Sequence, residues 1–338
     1  MRNKALILMA AGIGILIAMI MFIGPGKIEN AIRMANIWYI ILAIIIQIIT
    51  YALWTLRWSI TTKAVGISVK KWHLFPMLMV GLAVNNITPS ARGGGEPVRA
   101  YILSKYSKTP FENTFATVIA DRGLDTFPFI VLAIITIISM VLFFNLPKWI
   151  VIALVIALVI IVLAFILAII ISVNKKFAEK FTTLLVALTK RISIKRSQQI
   201  EDKALEAIHG FQDSIRIMLK DKQILFYGLL LSFFIWFMEI IRVYIVFSAF
   251  NADVSLIIIA EVFVIASLIG LIPFLPGGLG AVDGMMIVLY SYAGVSPSVS
   301  AAATMVERLI SFWLTSMIGV AVLPYFGTTV MDKISKKI

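Results

Sequence analysis

Charged side chains interrupt the long apolar stretches of this 338-residue sequence, and arginines are prominent among them. A charge at the centre of a membrane-spanning helix costs roughly 2.5–3.5 kcal/mol, so such residues usually face a water-filled cavity or one another. The planar guanidinium of arginine binds phosphate through two parallel hydrogen bonds. We therefore predict a substrate-binding site for a phosphate-bearing headgroup. Its candidate residues are Arg57, Arg92, Glu96, Arg99, Asp121, Arg122, Arg242, Asp283, Glu307 and Arg308.

The acidic members of this set have several possible roles. Glu96 and Asp283 can orient the arginines, bind a headgroup amine, or exchange a proton that drives transport. The structural alternative is that the charges form neutral ion pairs, as Glu239 and Arg242 would one helical turn apart. Glu261 belongs to the same apolar stretches. The sequence leaves these interpretations open.

Glycine and proline interrupt the chain beside these charges. Segments 89–96 and 276–283 each place an acid seven residues after a proline, across a glycine-rich stretch. Broken helices at membrane depth form substrate sites in many transporters, and helix N-termini offer N–H donors to an anion. The alternative is that small residues only allow close packing. The two predicted breaks consist of Pro89, Gly93, Gly94, Gly95, Pro276, Gly277, Gly278 and Gly280.

Catalytic and cofactor chemistry have little support in the sequence. It contains no cysteine and only two histidines, which leaves few ligands for a metal site. We find no zinc motif, P-loop, dinucleotide fingerprint or nucleophile elbow. The formal net charge is +13, but the basic residues mostly flank apolar runs, which is typical of proteins that face anionic lipid. We expect no catalytic residue, metal, cofactor or nucleic-acid partner, and no enzymatic activity.

Apolar run length predicts the fold class. Hydrophobic residues make up 61% of the chain, and a helix needs about 20 of them in sequence to cross the bilayer. We predict an all-α, polytopic integral membrane protein in which 1–338 is a single domain. The predicted spans are Ala5–Ile23, Ile37–Leu56, Leu124–Phe144, Trp149–Val173, Ile224–Phe250 and Ala303–Leu323.

The distribution of lysine and arginine predicts the orientation. Arg57–His73 and Asn174–Lys222 are rich in basic residues and should be cytoplasmic, whereas Asn251–Ser255 has none and should be external. Both termini are then cytoplasmic in a multi-pass protein of the cell membrane. Leu74–Gly123 and Leu256–Ala302 must each return to the side where they start, either as a re-entrant hairpin or as two short spans.

The polar segment Asn174–Lys222 carries apolar residues at helical spacing. We predict an amphipathic helix on the cytoplasmic interface, and a solvated linker helix is the alternative. The residues that define the apolar face are Leu205, Ile208, Phe211, Ile215, Met218 and Leu219.

Two parts of the chain share a series of landmarks. Ala116-Thr117 precedes Asp121-Arg122, and Ala303-Thr304 precedes Glu307-Arg308, with the proline–glycine breaks upstream of both. Because the first copy starts inside and the second outside, we predict an inverted-topology repeat. The first repeat covers about 37–145 and the second about 224–325. A span at 149–173 and the amphipathic segment 174–222 join them.

The segments that carry these landmarks resemble the transmembrane region of the lysylphosphatidylglycerol synthase family, also called the flippase-like domain. They are Asn85–Pro89, Gly94–Arg99, Asp121-Arg122, Pro276–Gly280 and Glu307-Arg308. The resemblance covers nearly the whole chain. It implies movement or binding of a lipid. Family members that make aminoacyl lipids continue into a soluble transferase domain, so we expect a stand-alone member without that activity.

Three functions follow as hypotheses. The first is a translocator for a phospholipid or a polyprenyl-phosphate lipid, with the headgroup in a central polar groove. The second is a lipid-binding subunit or enzyme partner that acts on polyprenyl-phosphate lipids, for example with a glycosyltransferase or synthase. The third is a scaffold that docks a partner on the basic segment Asn174–Lys222. A homo-oligomer is compatible with each of them.

Overall fold

The computed structural model describes residues 17, 21, 24–88, 93–143, 148–180, 183, 197–271 and 276–326. Regular structure in these ranges is helical throughout, as predicted for an all-α protein. The bounded α-helices are α1 (Pro25–Arg33), α2 (Ile37–Ala64), α3 (Lys71–Ile87), α4 (Gly95–Ser107), α5 (Phe111–Phe143), α6 (Lys148–Val173), α7 (Ser197–Lys220), α8 (Lys222–Ala249), α9 (Leu256–Gly270), α10 (Ala281–Tyr292), α11 (Pro297–Arg308) and α12 (Thr315–Val322).

Among the residues that the structure describes, five helices are long and apolar enough to cross a membrane. Four are α2, α5, α6 and α8. The fifth is continuous from Pro297 to Phe326, and a π-helical segment at Leu309–Leu314 joins its parts α11 and α12. These helices confirm five of the six predicted spans. The sixth, Ala5–Ile23, lies almost entirely outside the described residues.

Four short helices form two hairpins between the spans. The helices α3, α4, α9 and α10 have 17, 13, 15 and 12 residues. At 1.5 Å per residue they are about 18–26 Å long, which is less than the roughly 30 Å of hydrocarbon. α3 packs against α4, and α9 packs against α10. These lengths favour re-entrant hairpins over pairs of short spans.

The long helices α2 and α8 form the antiparallel centre of the fold. Arg57 on α2 donates to Ser232 on α8, and Arg242 on α8 donates to Gln47 on α2. Arg57 thus contacts the residue ten positions before Arg242, and Arg242 contacts the residue ten positions before Arg57. This reciprocal pattern is expected for a two-fold axis between antiparallel helices. Around this pair, α3 packs against α12 and α9 packs against α5. The sequence boundaries of the two repeats stay a prediction.

Two amphipathic helices lie against the spans. α7, within the predicted amphipathic segment, packs against α5 and buries Phe211, Ile215 and Met218 beside Ala116. Leu219, predicted on the same face, is exposed. α1 packs in a similar way on α11. An amphipathic helix therefore packs against α5 in the first half and against α11 in the second half.

Candidate functional site

The two hairpins meet near the centre of the bundle. The side-chain amide of Asn86, at the end of α3, donates to the carbonyl oxygen of Phe312 (3.1 Å) and to Ser316 Oγ (2.9 Å). Gly277, in the turn of the second hairpin, has φ +55°, and a Cβ there would lie 2.9 Å from the Asn86 carbonyl oxygen. Glycine is needed at this position because both the backbone angle and the close approach exclude a larger residue. The turn of one hairpin is thereby fixed against the tip of the other.

Asp121 on α5 is the centre of a buried cluster in the first half. Its two carboxylate oxygens contact Arg57 of α2 at 2.8 Å and Arg99 of α4 at 2.7 Å. Arg57 also contacts Asp125, one helical turn further along α5, at 2.7 Å. The Arg99 guanidinium lies over the Trp58 ring, 4.7 Å from its centroid. These desolvated ion pairs join α2, α4 and α5.

The next residue, Arg122, contacts the start of α4, the second helix of the first hairpin. It forms an ion pair with Glu96 at 2.6 Å and lies 3.6 Å from Asp125. Asn85 on α3 accepts a hydrogen bond from the Gly95 N–H (2.6 Å) and donates one to Glu96 (3.3 Å). The Arg122 side chain is 35% exposed, more than the other charged groups of this cluster. It is therefore the guanidinium best placed to meet a ligand.

Arg242 on α8 is the centre of the buried cluster in the second half. It contacts Glu307 of α11 and Glu239 of its own helix, both at 2.7 Å. Gln47 of α2 accepts a further hydrogen bond from it. The Arg242 side chain is 1% exposed. The ion pair with Glu239 is the structural pair expected from their helical spacing.

Arg308 joins the second hairpin to this cluster. It forms an ion pair with Asp283 of α10 at 2.7 Å and donates to the Gly277 carbonyl oxygen at 2.9 Å. Asp283 also accepts from the N–H of Gly280 (2.7 Å), a glycine with φ +80°. The guanidinium lies 4.9 Å from the centroid of the Phe312 ring. The glycine-rich turn is thus shaped around the Arg308–Asp283 pair.

Two ion pairs of the first half have counterparts in the second half. The matched ion pairs are Arg57–Asp121 with Arg242–Glu307, and Arg122–Glu96 with Arg308–Asp283. The additional partners differ, because Asp125 assists Arg57 from α5 whereas Glu239 assists Arg242 from α8 itself. The acids of the two breaks, Glu96 and Asp283, and the dipeptides Asp121-Arg122 and Glu307-Arg308 are landmarks from which the repeat was predicted, and they are in contact in the structure.

A cavity of about 150 Å³ lies between the two halves. A second cavity of about 40 Å³ extends towards the first cluster, and both are lined by Trp54, Leu82, Asn85, Arg122 and Asp125. The charged residues lining the larger cavity are Arg122, Asp125, Glu239, Arg242, Glu307 and Arg308. Three positive and three negative side chains therefore surround it. Within the described ranges no group of three or more His, Cys, Asp or Glu side chains could hold a metal ion.

The structure gathers nine of the ten predicted site residues into these two clusters. The tenth, Arg92, lies outside the described residues together with Pro89. Sequence reasoning missed Gln47, Trp54 and Asn86, which line the larger cavity. Gln47 had a detectable signal, since it is an amide within the apolar run Ile37–Leu56. Asp125 and Glu239 are further acids within the apolar stretches, and they complete the contacts of Arg57 and Arg242.

Comparisons with known proteins agree with this architecture. Residues 9–319 match the family described as "Lysylphosphatidylglycerol synthase TM region". A UPF0104 membrane protein of Methanothermobacter thermautotrophicus is 58% identical over 338 residues, covering 100% of both chains. A UPF0104 membrane protein of Methanocaldococcus jannaschii is 31% identical, covering 94% of this chain and 93% of its own. One from Pyrococcus horikoshii is 27% identical over similar shares, 94% and 95%.

The sequence motifs that carried the resemblance are the ones that form the paired clusters and the hairpin turns. The match extends over nearly the whole chain, and the relatives are aligned along almost their full length. The chain therefore belongs to the family of the lysylphosphatidylglycerol synthase transmembrane region.

Proposed function

We propose that this protein moves a phosphate-bearing lipid across the bilayer, with the headgroup passing through the central cavity and the hydrocarbon chains remaining in the membrane. The observation that carries the proposal is the cavity itself, which combines three arginines with three carboxylates at the meeting point of two re-entrant hairpins. Irregular backbone at membrane depth is tolerated where it lines a polar cavity, which is the arrangement in transporters with broken helices.

The size of the cavity supports a headgroup rather than a whole lipid. Its volume of about 150 Å³ is below the roughly 300–1,000 Å³ of sites that enclose a drug-sized molecule. Acyl or isoprenoid chains would therefore stay between the helices and the surrounding bilayer. The proposal includes no chemical step on the lipid.

The ion pairs suggest how a phosphate is accepted and released. The five arginines of the two clusters each contact at least one carboxylate, so a phosphate must displace an acid to form a bidentate contact. Arg122 is the most accessible of them, and its partners Glu96 and Asp125 lie on different helices. Until a phosphate displaces it, the carboxylate keeps the guanidinium paired, so the empty site holds no uncompensated buried arginine and part of the gain on phosphate binding is offset. Such an exchange makes binding reversible.

Reconstituted liposomes test the proposal. Fluorescent phospholipids and polyprenyl phosphates are placed in both leaflets. An impermeant quencher is added outside, and the loss of fluorescence measures the lipid that reaches the outer leaflet. We expect faster movement of at least one lipid with the wild-type protein. Glu96→Gln and Arg122→Gln should each reduce the rate by about tenfold or more, the effect of losing roughly 1.4 kcal/mol of a charged contact.

Arg33→Gln is the matched control. Arg33 forms an exposed ion pair with Glu29, with side chains 75% and 61% exposed, and neither residue lines the cavity. This variant should keep the wild-type rate. If no lipid moves with wild-type protein while lipid stays tightly bound through purification, translocation is excluded and the lipid-binding subunit becomes the better explanation.

A further inference from the structure

Two serines that line the central cavity have hydroxyls without a hydrogen-bond partner among the residues that the structure describes. They are Ser267 on α9 and Ser311 in the π-helical segment. A serine inside a helix commonly donates to the carbonyl oxygen four residues earlier. Five other helical serines do so at 2.7–3.0 Å, namely Ser172, Ser214, Ser232, Ser248 and Ser316. The hydroxyls of Ser267 and Ser311 are therefore available to a molecule in the cavity.

A chain of short contacts connects Arg308 to both serines. Ser311 follows Arg308 by three residues on the same helix, and both line the cavity. Arg308 also donates to the Gly277 carbonyl oxygen at 2.9 Å. A Cβ on the glycine after Gly277 would lie 3.4 Å from the Cα of Gly270, so this turn touches the end of α9. Ser267 lies three residues before Gly270, which places both hydroxyls and the guanidinium around one part of the cavity.

The Arg308 guanidinium keeps donors for a further ligand. Its Nε contacts the Asp283 carboxylate at 2.7 Å, and its Nη2 donates to the Gly277 carbonyl oxygen. The other terminal nitrogen, Nη1, forms no hydrogen bond with the described part of the chain. A guanidinium has five N–H groups, so Nη1 can donate to a phosphate oxygen while Asp283 stays in place.

The first half has an acid at the position that corresponds to Ser311. Asp125 follows Arg122 by three residues, as Ser311 follows Arg308. Asp125 contacts Arg57 at 2.7 Å, lies 3.6 Å from Arg122 and lines the cavity. A nearby like charge disfavours an anion, whereas a serine hydroxyl can donate to it. The wall formed by the second half is therefore the more favourable one for phosphate.

We propose that Arg308, Ser267 and Ser311 form the subsite that binds the phosphate of the headgroup, and that Asp125 excludes phosphate from the equivalent place in the first half. One contact from the Arg308 Nη1 and two from the hydroxyls hold the phosphate without a bidentate exchange. This inference rests on the proposed function and identifies the side of the cavity that holds the phosphate.

The acids beside this subsite are already paired. Glu307, next to Arg308 in sequence, contacts Arg242 at 2.7 Å, and Asp283 contacts Arg308 itself. Because Asp283 remains bound to Arg308, the empty subsite contains no uncompensated buried charge. The phosphate can therefore leave as well as enter.

Binding of inorganic phosphate tests the subsite without lipid transport. The full-length protein is purified in a detergent that contains no phosphorus, and broadening of the phosphorus NMR signal of added phosphate gives the affinity. We expect saturable broadening with the wild-type protein. Ser267→Ala and Ser311→Ala should each weaken binding by about five- to tenfold, the loss of one hydrogen bond to a charged ligand. Ser311→Asp should weaken it by more than about tenfold, because it recreates the acid of the first half.

Variants at two positions are the controls. Ser311→Asn has the size of the aspartate without its charge, so it should bind phosphate at least as well as Ser311→Ala. Ser248→Ala and Ser248→Asp change an exposed serine of α8 that does not line the cavity, and they should leave the affinity unchanged. Wild-type affinity in Ser311→Asp, or in both alanine variants should the aspartate variant not fold, would overturn the subsite.

The liposome assay separates this inference from the proposed function. Lipid movement by a wild-type protein that shows no saturable phosphate binding would refute the subsite and leave translocation standing. Phosphate binding that depends on Ser267 and Ser311, with no movement of any lipid, would refute translocation and leave the subsite standing.

Discussion

At the residue scale, the buried clusters depend on acids shared between arginines. Asp121 is 2% exposed and contacts both Arg57 and Arg99, and the other contact of Arg99 to a polar atom is the Val118 carbonyl at 3.4 Å. Removing one partner of a buried ion pair leaves an uncompensated charge, which costs more than the pair contributes when intact. Asp121 therefore stabilises the fold and also lies beside the candidate site.

Asp121→Asn measures that dependence. We expect a loss of about 3–5 kcal/mol in the free energy of unfolding, because two buried guanidinium groups lose the negative charge between them. Glu29→Gln, which breaks the exposed pair with Arg33, should cost at most about 1 kcal/mol. Chemical unfolding in detergent micelles gives both values. An equal effect of the two substitutions would contradict the interpretation of Asp121 as the centre of a desolvated cluster.

At the scale of elements, the first hairpin is closed by two glycines. A Cβ on Gly95 would collide with the Gly81 carbonyl oxygen, and a Cβ on Gly81 would lie 3.2 Å from the carbonyl oxygen of Gly95. This approach brings Asn85 to the Gly95 N–H and places Glu96 beside Arg122. Gly95 therefore allows close helix packing and also positions site residues, so the two explanations that the sequence left open for the glycines of this break are compatible.

Gly95→Ala should separate α3 from α4. The added methyl group forces the backbones apart at a cost of about 1–3 kcal/mol or more, and it displaces Glu96 from Arg122. Gly26→Ala is a suitable control, because a Cβ there meets nothing within 4 Å. We expect lower thermal stability and lost lipid movement for Gly95→Ala alone. Wild-type stability of Gly95→Ala would show that the hairpin is more loosely packed than described.

At the scale of the whole molecule, the two clusters occupy different depths. Gln47, which contacts Arg242, and Arg57, which belongs to the first cluster, are ten residues apart on α2, or about 15 Å. Trp54, which lies between Gln47 and Arg57 on α2, and charged residues of both clusters line the cavity. Under the proposed function, a headgroup that exchanged between the clusters would move about half of the roughly 30 Å thickness of a hydrocarbon layer.

Single cysteines test the predicted orientation, since the natural sequence has none to interfere. Ser68 and Asp253 are exposed in the links that follow α2 and α8. We expect an impermeant maleimide added to intact cells to label Asp253→Cys at once and Ser68→Cys only after permeabilisation. The physical reason is the excess of lysine and arginine around Ser68, which holds that link in the cytoplasm. The reverse pattern would place both termini outside.

The sequence by itself determined the fold class, five described spans, the two breaks and nearly all the charged residues of the site. The length of an apolar run and the free-energy cost of a charge within it depend on local sequence, so these features are visible in any stretch of about 20 residues. It also indicated the repeat, because Asp121-Arg122 and Glu307-Arg308 recur with their upstream acids.

The tertiary structure alone decided which charges meet. Glu96 could orient an arginine or bind an amine, and its pairing with Arg122 depends on a hairpin that brings residues 26 positions apart to 2.6 Å. Likewise, only the structure shows that Glu261 is buried and that its carboxylate has no hydrogen-bond partner among the described residues, unlike the paired acids. Ion pairing depends on the contacts between helices, and a single sequence states only which groups each helix carries.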